Sequence, residues 1–434
     1  MHFHFPHHLP GWSAASAYFR EKFSHHQKGP QTWDTQSQWK VNLAMLWLSQ
    51  VLVMCGYCAA MPFIPLFIQD KFGLISDSAR GPVVAAFTFA GSLGYAIFCP
   101  LWGWLSDRWG VKPMLFRGTF LTAIICPVMM ICAAPWQLVF TRFVMASCAG
   151  TTAASQILVV KNTPDNHQGF ALGVLSTAYW SGAMLGNVLG GLAVHYYGYN
   201  VAFILCGLTY AIAGIGIFFC HEQKSTLIDR KKTVQSEKTG SRWEAFTPSV
   251  NAVLLLFTLF SVVRNFEIPY LAMLVEDISG HDLAAKHTGV VSAFVALGAF
   301  LSGLVIGKLA DKTKPLILLI PSLVCSTICL LLQAFTESIW VLGTARTMMY
   351  FIGGALMPVL EKLLSKITPA LHRGAVFGVK STASSMGVMF STVASGIAIN
   401  YVGVRGVFHG AAISTFLFIP LCIYMVWKVQ KNNP

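Results

Sequence analysis

Twelve long apolar stretches divide the chain and decide what it can fold into. Each is close to the roughly 20 residues that an α-helix needs to cross the hydrocarbon core of a bilayer. The six stretches of the first half are 41–68, 82–104, 113–133, 137–160, 169–194 and 201–220. The six of the second half are 251–275, 288–306, 316–334, 340–363, 376–398 and 407–427. With 55% hydrophobic and 11% charged residues, the chain is predicted to be an all-α integral membrane protein.

The formal net charge of +13 could indicate a nucleic-acid partner, but its placement argues against one. If both termini are cytoplasmic, most of the 30 lysines and arginines lie in the tails and the inner loops. That is the pattern by which membrane proteins set their orientation. We therefore predict cytoplasmic termini, a lipid bilayer as the partner and no nucleic acid.

The polar segments between and around the stretches predict tails and a linker. Residues 1–40 contain HFHFPHHLP and no apolar signal-peptide core, which favours a His-rich cytoplasmic tail. Its imidazoles could bind metal loosely, but they lack the fixed spacing of a structured site, so no metal is expected. The eleven cysteines also lack ligand spacing and fall mostly inside the stretches, where they are expected to pack as reduced thiols.

Neither a Walker A motif, nor a nucleophile elbow, nor a zinc-binding helix occurs in the sequence. ATP-driven transport and enzymatic activity are therefore not expected, and no cofactor is predicted.

The two halves of the chain repeat each other at a shift of about 204 residues. GWLSD at 103–107 aligns with GKLAD at 307–311, Arg142 with Arg346, and Gly150 with Gly354. One residue further, GVLSTA at 173–178 matches GVKSTA at 378–383. The repeat predicts two six-helix bundles, 41–220 and 250–428, joined by a cytoplasmic linker at 221–249 and followed by a tail at 429–434. Because each repeat has an even number of spans, both bundles begin on the same side of the membrane and are related by an axis along the membrane normal.

These features resemble the major facilitator superfamily, and most closely its branch of drug and proton antiporters. The residues that match the gating signature of that family after the second span are Gly103, Asp107, Arg108, Gly110 and Lys112, with Val111 where a basic residue is usual. The second copy keeps Gly307, Asp311, Lys312 and Lys314. The resemblance implies a twelve-helix secondary transporter that acts as a monomer. It also implies that Asp107 docks near the start of the eleventh span, with Arg373 and Lys380 as candidate neighbours.

The fifth stretch contains GVLSTAYWSGAMLGNVLGG, in which Gly182, Gly186 and Gly190 recur every four residues. This spacing places them on one helix face and predicts close packing against another helix. With Gly191, they resemble the glycine motif of antiporters, which marks exporters. Asn187 replaces the proline of that motif, so an importer stays open.

Charged residues inside the stretches are candidates for proton coupling, because charges in a membrane normally face a cavity or a partner. By resemblance, Arg142 in the fourth span takes part in coupling, and Arg346 is its equivalent in the tenth; a snorkelling Arg142 is the alternative. Arg264 and Glu267 are three residues apart in the seventh span and are predicted to share a helix face. The pair could titrate or form a static ion pair, and Pro269 predicts a bend beside it. The first span lacks the acidic residue of several exporters, so Glu267 substitutes for it or the coupling differs.

The resemblance places the first, fourth, seventh and tenth spans around a cavity. The candidate lining residues are Gln50, Met54, Tyr57, Phe266, Tyr270 and Tyr350, with Tyr179 of the fifth span nearby. Packing is the alternative for each of them. Pro62 and Pro65 in the first stretch are interpreted as a helix-end feature.

Three functions remain open at this stage. The first is proton-coupled efflux of small amphipathic compounds, either drugs or a secreted metabolite, by alternating access. The second is a dedicated exporter or importer of one solute, such as a siderophore or a nutrient. The third is a sensor or scaffold that no longer transports, which the gating signatures disfavour. A multi-pass location in a bacterial inner membrane is predicted.

Overall fold

The computed structural model describes residues 35–164, 167–222, 246–313, 315–354, 356–368 and 373–432. Residues 42–434 form one compact unit and residues 1–41 another. The described residues are helices and short connections, without a strand among them, which confirms the all-α prediction. The His-rich residues 1–34 and the linker residues 223–245 lie outside the described ranges.

Eight helices belong to the first half of the chain. They are α1 Thr35–Ala60, α2 Ile64–Phe72, α3 Asp77–Trp109, α4 Val111–Val128, α5 Pro135–Ser147, α6 Thr151–Asn162, α7 Gln168–Tyr197 and α8 Tyr199–Phe218. The second half contains α9 Pro248–Asn265, α10 Leu271–Ser279, α11 His281–Lys312, α12 Pro315–Phe335, α13 Ile339–Gly353, α14 Leu356–Ile367 and α15 Arg373–Asn432. Helix α15 is interrupted at Gly403, whose φ of +65° is left-handed, and therefore covers both the eleventh and the twelfth predicted spans.

Within the described residues, 9 helical stretches are long and apolar enough to cross a membrane. One of them, Val376–Lys431, contains two predicted spans. The fifth predicted span is helix α7, and the tenth is α13 followed by α14, but neither is among those nine. The chain is thus a multi-pass membrane protein, while the count of twelve spans stays a prediction.

The first and seventh spans are both broken at equivalent positions. A short 3₁₀ turn, Met61–Phe63, separates α1 from α2, and a second one, Ile268–Tyr270, separates α9 from α10. Each turn contains a proline, Pro62 or Pro269, which cannot donate the backbone hydrogen bond that an α-helix requires. The interpretation of Pro62 and Pro65 as a helix-end feature is confirmed, because α1 ends at Ala60 just before Pro62 and Pro65 lies in the first turn of α2, which continues the span to Phe72.

The fourth and tenth spans are also broken at equivalent positions. Helix α5 ends at Ser147 and α6 starts at Thr151, after Gly150 with a left-handed φ of +116°. Helix α13 ends at Gly353, and Gly354 caps it before α14. The four discontinuous spans are those that were predicted to line the cavity. Transporters commonly form their solute sites at such breaks, where backbone groups are released from the helix.

Helix packing repeats between the two halves. A Cβ on Gly94 would lie 2.7 Å from the carbonyl oxygen of Phe143, and a Cβ on Gly298 would lie 2.7 Å from that of Thr347. A Cβ on Gly182 would lie 2.8 Å from the Cβ of Met54, and a Cβ on Gly387 would lie 2.7 Å from the Cβ of Ser261. Equivalent glycines therefore bring equivalent helices together, which supports the internal repeat. The domain boundaries themselves stay a prediction.

The glycine face of α7 packs against two helices. Any side chain on Gly182, Gly186 or Gly190 would overlap the backbone of α1, at the carbonyl groups of Val51, Cys55 and Ala59 respectively. A Cβ on Gly191 would lie 2.9 Å from Gly289 Cα on α11. The predicted close packing is confirmed, because glycine alone leaves room for the facing backbones.

The eleven cysteines are free thiols, and most of them are buried. At the end of α8, burial raises the pKa of the Cys220 thiol to about 11. This thiol is therefore protonated at neutral pH and packs as a small apolar group.

Candidate functional site

Glu267 and Arg346 form a buried ion pair between the seventh and tenth spans. Arg346 Nη2 lies 2.7 Å from Glu267 Oε2, and each side chain is only 2% exposed. Charges removed from water are strongly destabilising unless an opposite charge compensates them. The two side chains therefore depend on each other, and any change in the charge of Glu267 is felt by Arg346.

The predicted pairing of Glu267 with Arg264 was wrong. Helix α9 ends at Asn265, and Glu267 lies beyond it, immediately before the 3₁₀ turn. Phe266 and Glu267 keep right-handed helical backbone angles, and Arg264 and Glu267 line the same cavity. The ion pair of Glu267 nevertheless forms with Arg346 on α13.

Gln333 completes this buried cluster and was missed in the sequence. Arg346 Nη1 donates a hydrogen bond of 2.9 Å to Gln333 Oε1 on α12, and Gln333 is fully buried. The signal was a single amide in the otherwise apolar end of PLILLIPSLVCSTICLLLQAF. A buried amide needs a hydrogen-bond partner, but the sequence does not identify which one.

Arg264 lies next to this cluster and lines a cavity with Glu267. Its guanidinium carbon is 4.9 Å from the ring centre of Tyr350 and 5.9 Å from that of Phe260. The remaining wall is mostly apolar, with Leu323, Leu330, Met349 and Leu356 among its side chains. No described carboxylate lies within ion-pair distance of Arg264, and the faces of these two aromatic rings contribute to stabilising its charge.

Arg142 occupies the equivalent place in the first half with different partners. Its Nη2 donates a hydrogen bond of 2.9 Å to Tyr57 Oη. The guanidinium carbon lies 5.5 Å from the Tyr57 ring centre and 5.4 Å from that of Phe87. Gly91 leaves space for it, since a Cβ there would lie 2.6 Å from Arg142 Nε. Arg142 is thus held between three spans; its role in coupling stays a prediction.

Tyr179, the candidate lining residue on α7, is 39% exposed. Its ring packs edge-on against that of Trp180, with 4.9 Å between the two ring centres. Its place beside the cavity stays a prediction.

The other predicted cavity residues are engaged in packing in this conformation. Gln50 is 3% exposed, accepts a hydrogen bond from Ser155 Oγ at 3.1 Å and donates one to Thr152 Oγ1 at 3.3 Å. Met54 and Tyr270 are buried. Phe266 is partly buried against the core. Their assignment to the cavity stays a prediction, as does that of Tyr57, which contacts Arg142. Tyr350 lines the cavity beside Arg264.

The gating signature is described only in part. The side chains of Asp107, Arg108 and Asp311 lie outside the described residues, so the docking of Asp107 stays a prediction. Lys380, one candidate neighbour, pairs with Glu361 at 2.7 Å. A Cβ on Gly103 would meet nothing within 4 Å, and Gly110 adopts a left-handed φ of +99° between α3 and α4.

Glu222 caps the helix that follows the signature, a role that was not predicted. Its carboxylate accepts hydrogen bonds of 2.9 Å from the backbone N–H groups of Val111 and Lys112. Lys161 Nζ lies 3.8 Å from the same carboxylate. A negative charge at a helix N-terminus satisfies free N–H groups and the helix dipole. Lys112 itself donates to the carbonyl oxygen of Phe218 at 2.7 Å.

The two halves meet at one end of the bundle, where α2 ends and α11 begins; we call this the far end. Arg80, only 4% exposed, reaches from α3 to Glu276 Oε2 at 2.5 Å and also contacts Gln69. His281 bridges Glu276 Oε1 at 2.7 Å and Asp70 Oδ1 at 3.1 Å. These ion pairs join the first half of the chain to the second.

Further contacts close the far end. Asp77 Oδ2 accepts a hydrogen bond of 2.8 Å from the backbone N–H of Val404, and His195 Nδ1 lies 3.0 Å from the carbonyl oxygen of Asp282. At the near end, where α4 begins, a Cβ on Gly173 of α7 or Gly303 of α11 would meet nothing within 4 Å. The described contacts between the two halves therefore include ion pairs and hydrogen bonds at the far end.

A repeated bundle of membrane helices, with four broken spans and ion pairs that join its halves at one end, is the architecture of a secondary transporter. Residues 46–345 and 268–434 match the model of the Major Facilitator Superfamily, so the chain belongs to this family. The family consists of transporters for small molecules and not of enzymes.

Similar curated proteins cover most of the chain. The Multidrug resistance protein MdtG of Citrobacter koseri is 30% identical over 382 residues, covering 86% of this chain and 92% of that protein. The MdtG of Escherichia fergusonii is 28% identical over 385 residues, covering 87% and 93%. The chain is thus a homologue of proteins named for multidrug resistance.

Solved structures share the fold at low identity. A bacterial homologue of the human lysosomal transporter Spinster, in an inward-facing and occupied conformation, superposes with a TM-score of 0.70 at 15% identity, covering 91% of this chain and 97% of that one. A D-xylose-proton symporter gives a TM-score of 0.69 at 16% identity, with coverages of 88% and 96%. These likenesses establish the fold alone.

Proposed function

We propose that the protein exports small amphipathic compounds in exchange for protons, and that Glu267 and Arg346 form the proton-coupling site. The buried ion pair at the break of the seventh span carries this proposal. The similarity to proteins named for multidrug resistance supports the direction of transport.

The coupling follows from the electrostatics of the pair. While Glu267 is ionised, its charge compensates Arg346 and ties the seventh span to the tenth. When Glu267 takes up a proton, Arg346 keeps its charge and its hydrogen bond to Gln333 but loses its counter-ion. An uncompensated buried charge is destabilising, so the protonated protein favours a conformation in which the two spans separate.

Alternating access requires the far end to open when the near end closes. The ion pairs of Arg80 with Glu276 and of His281 with Asp70 hold the far end shut here. In the opposite state they would separate, and the signature residues Asp107 and Asp311 would stabilise the closed near end. Both conformations lie within a few kcal/mol of each other in such a cycle.

A dedicated carrier for one solute is the second candidate. Helix α7 runs from Gln168 to Tyr197 with Asn187 where exporters of the resembled branch carry proline. Without the proline, the expected kink in this helix has no cause. The choice between the two candidates rests on how many compounds are carried.

Transport by inverted membrane vesicles tests the proposal. With the vesicle interior made acidic, we would measure uptake of uncharged, anionic and cationic amphipathic compounds, together with proton release from the vesicles. Gradient-driven uptake of several compounds should be lost in Glu267→Gln. Glu361→Gln is the matched control, because it makes the same change in a more exposed ion pair of the same half.

Each outcome is decisive. Gradient-driven uptake that survives in Glu267→Gln would remove this residue as the coupling site. Transport of a single compound would favour the dedicated carrier, and the absence of gradient-driven transport for the whole panel would refute proton-coupled efflux. We further propose a monomer in a bacterial inner membrane with both termini in the cytoplasm. The placement of basic residues and the bacterial relatives support this location.

A further inference from the structure

The imidazole of His281 lies between carboxylates from both halves of the chain. Its Nε2 is 3.1 Å from Asp70 Oδ1 in the last turn of α2, and its Nδ1 is 2.7 Å from Glu276 Oε1 in the last turn of α10. The amide nitrogen of Gln69 lies 3.3 Å from the same Nδ1. His281 therefore faces one carboxylate across the contact between the halves and a second one in its own half.

Glu276 holds the imidazole in this position. Gly280 adopts a left-handed φ of +76° between α10 and α11, a conformation that favours glycine, and His281 is the first residue of α11. One oxygen of Glu276 contacts His281, while the other lies 2.5 Å from Arg80 Nη1 on α3. The carboxylate of Glu276 is thus fixed through both of its oxygens and positions the ring opposite Asp70.

The two carboxylate contacts require one proton more than a neutral imidazole carries. A neutral ring has one N–H group and one nitrogen lone pair, whereas the imidazolium donates through both nitrogens. In the neutral ring, the lone pair would face a carboxylate oxygen at 2.7 or 3.1 Å, which is repulsive. With the additional proton, both contacts become hydrogen bonds to charged groups. An imidazole ordinarily gains and loses this proton between pH 5 and pH 8.

The proton also decides whether charges balance where the halves meet. With it, the positive Arg80 and His281 balance the negative Asp70 and Glu276. Without it, Asp70 of the first half loses its counter-ion in the second half, and one negative charge is left over at the contact. Opposite charges across an interface attract and like charges repel, so deprotonation weakens the contact between the halves.

Other titratable groups lie on the helices around this site. They are Lys71 on α2, Asp77 on α3, His195 on α7, Tyr199 on α8, Asp277 on α10 and Asp282 on α11.

Of these, His195 alone is of a type that ordinarily titrates between pH 5 and pH 8. Its Nδ1 lies 3.0 Å from the carbonyl oxygen of Asp282, and a neutral imidazole supplies the one N–H group that this contact needs. The side chain of His281 is 46% exposed, so water can deliver the proton to it. The change of charge at this contact is therefore assigned to His281.

We propose that His281, held between Asp70 and Glu276, is a second proton-binding site whose protonation stabilises the closed far end. This inference rests on the proposed alternating access, because it assigns a proton to one of the two states. The closed state binds the proton more tightly, so the stabilisation is present at acidic pH and is lost as the pH rises through the titration of His281. With the cytoplasmic termini proposed above, the site faces the outside of the cell, and external acid favours closure on that side.

The test measures the distance across the far end of the full-length protein in lipid nanodiscs at pH 5 and at pH 8. Spin labels are attached through p-acetylphenylalanine at the exposed Ile75 and Leu283, which leaves the native cysteines unlabelled. Every protein also carries Glu267→Gln, so the proposed coupling site does not contribute to the pH dependence. The ratio of closed to open molecules should fall about fivefold from pH 5 to pH 8. An unchanged ratio would overturn the inference.

Two substitutions remove the site in different ways. His281→Gln keeps a hydrogen-bond donor but cannot take up a proton, whereas Asp70→Asn keeps the imidazole and removes the carboxylate of the other half. Each should reduce the pH dependence of the ratio to less than about twofold, because the proton then no longer joins the halves. If either variant kept the full fivefold change, the proton would act elsewhere and the inference would fall. Asp70→Asn decides the question alone if His281→Gln does not fold.

His195→Gln is the matched control, because it makes the same change in a histidine that contacts the other half through a carbonyl oxygen. It should keep the fivefold change, and a loss of pH dependence in this variant would move the proton site from His281 to His195. The proposed export and this inference fail separately. Without pH dependence at the far end, gradient-driven uptake can still occur, and without uptake the pH-dependent closure would stand.

Discussion

Arg142 and Arg346 occupy equivalent positions in the two halves, yet their surroundings differ in one decisive respect. Arg346 faces a carboxylate at 2.7 Å, whereas Arg142 faces the neutral hydroxyl of Tyr57 at 2.9 Å. Ala60 stands before the 3₁₀ turn of the first span, where Glu267 stands before that of the seventh. At these two equivalent arginines, the described residues thus place a carboxylate partner in the second half alone. The two halves therefore share the positions of their helices and differ in the side chains that contact the equivalent arginines.

The largest expected effect comes from removing the arginine of each half. Arg346→Leu leaves Glu267 buried without its counter-ion and should destabilise the protein by about 3–5 kcal/mol. Arg142→Leu leaves no buried carboxylate without its counter-ion, so it should lower the free energy of unfolding clearly less. Thermal unfolding of the two variants in the same detergent measures the difference. Equal losses would show that the carboxylate does not distinguish the two sites.

The two halves also differ in one helix contact, that of α7 with α1 in the first half and of α15 with α9 in the second. Gly186 lies against the carbonyl group of Cys55, while at the equivalent contact Ser391 Oγ donates to the carbonyl oxygen of Val262 at 2.6 Å. Gly186→Val should destabilise by about 1–3 kcal/mol or more, because two backbones must move apart. Ser391→Gly removes one hydrogen bond and should cost about 1 kcal/mol. Unfolding temperatures in detergent rank the two changes, and the reverse order would contradict this account of the packing.

A third variant sharpens the comparison at the buried amide. Gln333 accepts a hydrogen bond from Arg346, whereas the equivalent position of the first half is the fully buried Met129. Gln333→Leu should destabilise by about 1–2 kcal/mol, since one buried donor of Arg346 loses its acceptor. Met129→Leu, which exchanges one apolar side chain for another of similar size, is the control and should cost less. A Gln333→Leu variant that unfolds at the temperature of the natural protein would show that Arg346 does not depend on the amide.

The smallest effect is expected at the far end. Arg80→Gln removes a charge from the contact with Glu276, which should shift the conformational equilibrium about fivefold toward an open far end. Spin labels at the exposed Ile75 and Leu283 report this change as a longer distance. Arg405→Gln breaks an ion pair within the second half and is the matched control. Unchanged distances in Arg80→Gln would mean that this ion pair does not hold the halves together.

The sequence predicts the fold well because its signals are local. A span of about 20 apolar residues must be helical in lipid whatever its neighbours are, and glycines every four residues must share a face. The partner of Glu267 was predicted wrongly because spacing identifies neighbours along one helix, whereas Arg346 reaches Glu267 from another span. Gln333 and Glu222 are engaged through contacts between distant parts of the chain. Their residue types signal that a partner is needed without identifying it.

The four breaks in the first, fourth, seventh and tenth spans have a mechanical consequence. In each of these spans two helical segments meet at a short connection, so a change in the angle between them needs backbone rotation at only a few residues. In the proposed transport cycle, each half can therefore bend at its middle before it rotates as a block, and one end can open while the other stays closed. A solute bound at this level would contact the connections and so change the free energy of bending.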